Sequence, residues 1–330
     1  MSDIKILIIG ELTPEGGLLS VTLQLTSKSY ELLKNYDNSK VQVLITGGRG
    51  FYDNITERLS KAGADEVIIV NDDILKKYNS ARYNKVITDI YRNEQPDIIF
   101  FGATHQGREL APLVATSLET GLTADCTGLD IIDGKLSATR PTFGGKMNAA
   151  IYCKTLPQIA TVRPNVFKIL NLENKKDTNV RFDWVDTGNV EIKTEILEVL
   201  TENSSNSLEK AEIIVSGGLG MKTKEGFCIL EELAACLGGT VGASRAAVDS
   251  GLMPQSAQIG QTGKTVSAKL YIACGISGAA QHIAGINSCD KIIAINTDKN
   301  APIFKYADIG IVGDAFEIIP KLISELIKVK

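Results

Sequence analysis

The sequence predicts an α/β protein of two domains, each a largely parallel sheet flanked by helices. Three observations carry that expectation. Short runs rich in Ile and Val alternate with segments of helical period from Ile4 to Glu119, the pattern of strands buried on both faces. The same alternation restarts at Ile213. Between the two lies 171–212, with ten acids against five bases and the polar run Asn203-Ser204-Ser205-Asn206-Ser207, which reads as a charged boundary ending in a flexible linker. The division is placed at 1–204 and 205–330, and 330 residues is the length two domains require.

In the first part, strands are expected at Ile4–Ile9, Val41–Ile45, Glu66–Val70 and Asp97–Phe101. Helices are expected at Leu18–Leu33, Asn54–Ala62, Asn84–Tyr91 and Gly107–Glu119, with a tight connection at Gly47-Gly48-Arg49-Gly50. From Leu136 to Pro164, Pro and Gly punctuate short extended pieces, which read as antiparallel strands closing the first domain. In the second part, strands are expected at Ile213–Ser216, Thr240–Gly242, Gln258–Gly260, Leu270–Cys274, Lys291–Ile295 and Ile309–Val312. Helices fall at Lys224–Leu237, Ala243–Ser250, Gly278–Ile286 and Ala315–Val329. Almost every one of these strands ends in Gly, Ser, Thr or Asn, and open α/β sheets bind ligands beyond the carboxyl ends of their strands.

Composition removes several classes of function. Hydrophobic residues are 44% and charged residues 22%, as in a globular protein. A net charge of −4 supplies no basic field for nucleic acid. His105 and His282 are the only histidines, and the six cysteines include no C-x-x-C pair, so a local zinc or iron–sulfur site is not expected. Met1-Ser2-Asp3 leads straight into an apolar strand without a signal peptide, and Leu270–Ile286 is too polar for a membrane span. A cytoplasmic protein with reduced thiols and no membrane insertion is the expectation.

Five groups of residues could carry chemistry. Ser216-Gly217-Gly218-Leu219-Gly220 follows a strand, but Thr223 stands where G-x-G-x-x-G needs its third glycine. Gly260-Gln261-Thr262-Gly263-Lys264-Thr265 resembles a P-loop, yet Gln258 replaces the first glycine and a strand follows instead of a helix. Ser244-Arg245 opens a helix, where an N-cap hydroxyl, free N–H groups and a permanent cation suit an anion. Gly275-Ile276-Ser277-Gly278-Ala279-Ala280-Gln281-His282 is a second strand–helix junction of this kind. Asn296 with Asp298, and Gly313-Asp314, end the last two strands. Each group has a bland reading as a turn or a cap. Together they put Gly-, Ser- and Thr-rich loops at one sheet edge, which suits holding a dinucleotide. No hydrolytic triad or acid–base carboxylate pair is evident.

At these residues the sequence resembles the α subunit of electron transfer flavoprotein. The segments are SGGLGMK (216–222), VGASRAAVDSG (241–251), QIGQTGKTVSAKLYIACGISGAAQHIAG (258–285), IIAINTDKNAPIF (292–304) and ADIGIVGD (307–314). The first half adds GATHQGRELAPLVA (102–115), GLTADCTGL (121–129) and ATVRPN (160–165). The resemblance implies a doubly wound C-terminal domain that holds FAD. Ser244 and Arg245 match a flavin-binding Ser-Arg, with Arg245 near the reactive edge of the ring. Ile259, Gly260, Gln261 and Thr262 match a loop whose threonine is expected near flavin N5. Ser277, Gly278, Ala279, Ala280, Gln281 and His282 match the turn along phosphate and ring, with His282 by the C2 carbonyl. Asn296, Asp314 and Ala315 match the adenosine end. The family usually has arginine where this chain has Leu219, so a cation is missing from the site.

The resemblance further implies an electron carrier rather than an enzyme, paired with a β subunit that holds AMP or a second FAD. The exchange partner is expected to be an acyl-CoA dehydrogenase or an enoyl-CoA reductase. Alternatives are a subunit of an NADH-dependent bifurcating flavoprotein, a Rossmann-type nicotinamide dehydrogenase, and an interaction module without cofactor. The dehydrogenase needs the G-x-G-x-x-G that 217–223 lacks.

Overall fold

The computed structural model describes residues 3–13, 16–48, 53–142, 147–173, 177–192, 194, 208 and 211–329. Contacts divide the chain into two compact units, Met1–Val199 and Leu200–Lys330. The boundary expected at 204/205, the linker at 203–207, and Arg49, Gly50, Gly144 and Gly145 lie outside the described residues.

The N-terminal unit opens with β1 (Lys5–Gly10), α1 (Ser20–Leu33), β2 (Lys40–Gly47), α2 (Asp53–Ala62), β3 (Glu66–Asn71), α3 (Ser80–Glu94), β4 (Ile98–Gly102) and α4 (His105–Ser117). It continues with β5 (Leu122–Cys126), β6 (Gly128–Ile132), β7 (Lys135–Thr142), β8 (Met147–Tyr152), β9 (Gln158–Val162) and β10 (Asn179–Asp183). Seven strands form one sheet in the order β10-β3-β2-β1-β4-β9-β5, and every pair in it is parallel. Its inner strands are mainly apolar because helices cover both faces, with Gln42, Glu66 and Gln158 among the buried polar exceptions. Val21, Leu25 and Leu59 from α1 and α2 pack on one face with Ile6, Val43 and Phe100. Val86, Ile90, Leu110 and Val114 from α3 and α4 pack on the other with Leu7, Ile68 and Ile99. Phe100 is fully buried, and its truncation to Ala would cost about 3–5 kcal/mol.

Two features of this unit differ from the sequence reading. The antiparallel closure of 136–164 holds for β7 and β8, which form a three-stranded sheet with β6. β9 instead enters the parallel sheet between β4 and β5, since all five of its residues are buried and need cover on both faces. β10 lies inside the stretch read as charged boundary. It pairs with β3 because Arg181 bonds the otherwise buried Glu66 and also Glu94 and Asp183.

The C-terminal unit contains β11 (Ile213–Gly217), α5 (Lys224–Leu237), β12 (Thr240–Ala243), α6 (Arg245–Asp249), β13 (Leu270–Cys274), α7 (Ala280–Ile283), β14 (Ile292–Asn296), β15 (Ile309–Val312) and α8 (Ala315–Val329). The sheet is parallel, in the order β12-β11-β13-β14-β15. The chain runs from β11 outward to β12 and returns to the other side of β11 for β13, so strand order reverses between β11 and β13. Phe227 and Leu230 of α5 and Ile319 of α8 cover one face. Val266, Ile283, Ile286 and Ile303 cover the other from loops and the short α7. Gln258–Gly260, expected as a strand, is a loop with only single bridges to Ala243 and Lys264. Among the described residues no helix is long and apolar enough to cross a membrane.

Candidate functional site: a glycine-lined cavity at the sheet edge

A cavity of about 620 Å³ opens beyond the carboxyl ends of β11, β12, β13 and β14. It sits at the reversal of strand order, where doubly wound sheets bind ligands, and has the size of a small-molecule site.

Glycines make the wall. Gly218 donates its N–H to the Cys274 carbonyl at 2.8 Å and Gly220 to the Gly275 carbonyl at 3.1 Å, so the loops after β11 and β13 meet backbone to backbone. A Cβ at Gly218 would run into the Gly275 carbonyl oxygen, and one at Gly220 would stand 2.8 Å from the Gly275 Cα. Gly275 has φ +62° and Gly278 φ +86°. Both are left-handed conformations that cost an L-residue with a side chain. Gly278 turns the chain between Ser277 and α7 while the Ile303 N–H donates to the Ser277 carbonyl at 3.0 Å.

Ser244 ends β12. Its N–H donates to the Gly217 carbonyl at 2.9 Å, and its hydroxyl accepts the Ala247 N–H at 3.4 Å as the N-cap of α6. Arg245 lies 3.3 Å from Asp249, one helical turn on, and both are well exposed. Such a pair is weak in water, which leaves the guanidinium available to an anionic ligand.

The 258–264 loop is tied on every side. The Ile259 N–H donates to Ala243 at 2.9 Å, Gly260 to Lys264 at 3.1 Å, and Gln261 to Gln281 at 2.7 Å. Gln258, itself buried, donates to the Thr262 hydroxyl at 3.0 Å. Gln261 and Thr262 stay exposed at the cavity wall.

His282 is buried behind this loop. Its Nδ1 lies 3.1 Å from the Ile259 carbonyl and its Nε2 lies 2.9 Å from the Tyr271 hydroxyl. Burial pushes its pKa down to about 4, against the raising effect of the Ile259 bond. The ring is therefore neutral at pH 7.

Leu219, Ser244, Arg245, Ile259, Gly260, Gln261, Thr262, Ser277, Ala279, Gln281, His282 and Asn296 line the cavity. Four expected residues are placed otherwise. Gly278 and Ala280 shape the turn and the start of α7 without lining the cavity. Asp314 accepts the Phe316 N–H at 2.9 Å and caps α8, and Ala315 is buried in the core under that helix. Asn296 lines the cavity while its amide donates to the Ile276 carbonyl and its oxygen accepts from Asp298 N–H, both at 2.9 Å. The sequence reading missed Gln258, Asp249, Ala301 and Pro302, which also line it. Only Asp249 carried a local signal, its spacing of four from Arg245.

The quoted segments of the first half converge too, at the carboxyl edge of their own sheet. Thr104 caps α4 by accepting the Gly107 N–H at 2.9 Å. Asp125, in left-handed conformation, takes both ends of the Arg163 guanidinium, with Arg108 at 3.5 Å. Burial alone would push Asp125 up, but the Arg163 bond and charge hold it below its ordinary value.

All six cysteines are free. Burial pushes Cys126 and Cys274 up to about 12, so both pack as inert thiols. Among the described residues no cluster of His, Cys, Asp or Glu is suited to a metal.

A doubly wound parallel unit whose strand-end glycines wall a cavity beside one cation defines a nucleotide-cofactor-binding α/β protein. Comparison with known proteins makes this specific. Residues 6–182 match the electron transfer flavoprotein domain, and residues 207–287 match the electron transfer flavoprotein FAD-binding domain. The electron transfer flavoprotein subunit alpha of Thermoanaerobacterium thermosaccharolyticum is 45% identical over the full length of both chains. Protein FixB of Clostridium saccharobutylicum is 44% identical over 94% of this chain and 93% of its own. The Bacillus subtilis electron transfer flavoprotein subunit alpha is 38% identical over 97% of each. The chain belongs to the electron transfer flavoprotein family, as an α subunit with a FAD-binding domain.

Proposed function

We propose that the chain carries FAD in the cavity of its C-terminal unit and passes electrons between acyl-CoA dehydrogenase-type flavoenzymes and a redox partner, in a heterodimer with a β subunit holding AMP or a second FAD. The observation that supports the cofactor most directly is the wall itself. Backbone meets backbone at Gly218, Gly220 and Gly275, where side chains would force apart the two loops that form the cradle. Around it stand neutral hydroxyls and amides and the cation of Arg245, a donor set that fits a diphosphate and a ring gaining negative charge.

FAD, when bound, supplies one- and two-electron transfer. This chain's residues bind and bias it. Ser244 and Arg245 face it from α6, and the Arg245 charge favours the reduced, negative ring. Gln261 and Thr262 on their tied loop give fixed donors and acceptors along one edge. Ser277 through Gln281 follow the phosphates. Asn296 stands at the adenosine end, and a contact with Asp314 or Ala315 requires the ligand to run past the cavity to the end of β15. Leu219, exposed at the rim, adds no charge and so lowers the potential relative to an arginine there. The relatives named electron transfer flavoprotein subunit alpha support a carrier rather than an enzyme, a role that asks for no general acid or base. The proposed domains are 1–204, toward the partner subunit, and 205–330, around the flavin, in a cytoplasmic protein.

The test is an absorption spectrum and released-nucleotide analysis of the chain co-purified with its partner. One FAD and one AMP per heterodimer supports the simple carrier. Two FAD per heterodimer moves the reading to an NADH-dependent bifurcating complex.

A further inference from the structure

We propose that Gln258 is a positioning residue of the flavin cavity: its side-chain amide donates to the Thr262 hydroxyl, so that the single proton of that hydroxyl is left for the ligand. The two side chains meet at 3.0 Å, Nε2 to Oγ1. An amide nitrogen only donates, and a hydroxyl has one proton and two lone pairs. Thr262 Oγ1 is therefore the acceptor in this bond, and among the described residues no protein group takes its proton. Thr262 is exposed at the cavity wall, so that proton is available to an acceptor in the cavity.

The surroundings fix the amide. The Gln258 N–H donates to the Gln255 carbonyl at 3.0 Å, and its own carbonyl accepts the Lys264 N–H at 2.8 Å, so main-chain bonds hold it on both sides. Gly263 passes over its side chain, where a Cβ would stand 2.9 Å from Gln258 Cγ. The side chain is buried, and a bond made away from water is stronger than the same bond in water. A hydroxyl free to turn offers its lone pairs as readily as its proton, and the Gln258 N–H removes that choice. A ring that takes up an electron becomes a stronger acceptor, and a donor already oriented toward it stabilises the charge as it develops. Gln258 thus acts on electron uptake through Thr262. This inference rests on the reading of the cavity as a flavin site.

Redox titration of the chain co-purified with its partner tests it. In Gln258→Met the hydroxyl loses its fixed orientation. The equilibrium constant for uptake of the first electron is then expected to fall about threefold or more, the worth of a neutral hydrogen bond. Gln258→Glu keeps the shape, but its carboxylate only accepts and so takes the Thr262 proton. There the constant falls further, and this is the second variant should the first misfold. Thr262→Val removes the hydroxyl and lowers the constant by itself, and Gln258→Met added to it is expected to change nothing more. Flavin-loaded Gln258 variants with an unchanged constant, or an effect of Gln258→Met that persists in full beside Thr262→Val, overturn the inference. Released-cofactor analysis of the wild-type complex keeps the two readings apart. Absence of flavin removes the cavity reading and this inference with it, whereas bound flavin with unchanged constants removes the inference alone.

Discussion

The Thr104 hydroxyl donates to Oε2 of Glu11 across 2.7 Å while accepting the Gly107 N–H, so one side chain caps α4 and holds a buried carboxyl at the end of β1. Glu11 is 4% exposed. Burial drives its pKa up to about 7, with the Thr104 bond acting in the opposite sense. The helix N-terminus beside it favours the ionised form, but desolvation outweighs that pull.

The native state therefore binds a proton that the unfolded chain releases, between pH 4.5 and about 7. Stability from this group is full below pH 4.5 and is lost as pH rises through 7, by at most about 3 kcal/mol. In Glu11→Gln, whose amide oxygen still accepts from Thr104, the difference in urea midpoint between pH 5 and pH 8 narrows. An unchanged difference would mean that Glu11 is ionised throughout.

Arg181 bonds Glu94 at 2.8 Å and contacts Glu66 at 3.4 Å, with Gln42 donating to both carboxylates. Burial alone would raise Glu94, but the bonds from Gln42 and Arg181 hold it below its ordinary value. Stability from Glu94 is thus present above pH 4.5 and lost as pH falls below it. Arg181→Met leaves two poorly solvated carboxylates short of a partner and costs about 2–4 kcal/mol at pH 7. Denaturant unfolding at pH 4 should show a smaller loss.

Arg181 also shows why part of the fold was hidden in the sequence. Its strand, 179–183, lies in a stretch with twice as many acids as bases, so its charges suggest solvent. Asp183 is a local partner of Arg181, but the buried Glu66 and Glu94 it also meets come from β3 and α3, far away in sequence. β9 was obscured differently, by the Pro157 and Pro164 that bracket it. In contrast, β1, β4, β13 and β14 are mostly apolar runs with largely buried residues, and those are legible because their side chains have cover on both faces. The cavity was legible from its glycines and from Ser244-Arg245. Gln258 was not, since a buried glutamine in a loop has no local mark, and its role depends on a threonine four residues on.

Gly275 has φ +62°, and a Cβ there would lie 2.9 Å from the Gly220 Cα. Gly275→Ala combines left-handed strain with a backbone clash and costs about 2–4 kcal/mol. Thermal melts should show the C-terminal unit weakened, and the purified complex should hold less flavin. A melt matching wild type would mean that the two loops separate without penalty.

Leu219 is 53% exposed at the cavity rim, so a longer side chain there meets no steric bar. Leu219→Arg adds a cation whose attraction for a reduced flavin is on the order of 1 kcal/mol in a solvated setting. Redox titration is expected to show a higher flavin potential, with the increase shrinking at high salt. Identical potentials in the two proteins would place the flavin out of reach of residue 219.

A flavin held in the cavity of the C-terminal unit must be displaced by bulk placed there. Ala279 is exposed and lines that cavity, so Ala279→Trp fills it without disturbing a core. Ile327→Trp places the same bulk at an exposed position on α8 outside the cavity. The measurement is FAD titration of the flavin-stripped complex by fluorescence quenching. The Ala279 variant is expected to bind FAD at least tenfold more weakly while the Ile327 variant matches wild type. Equal affinity in all three proteins would contradict it.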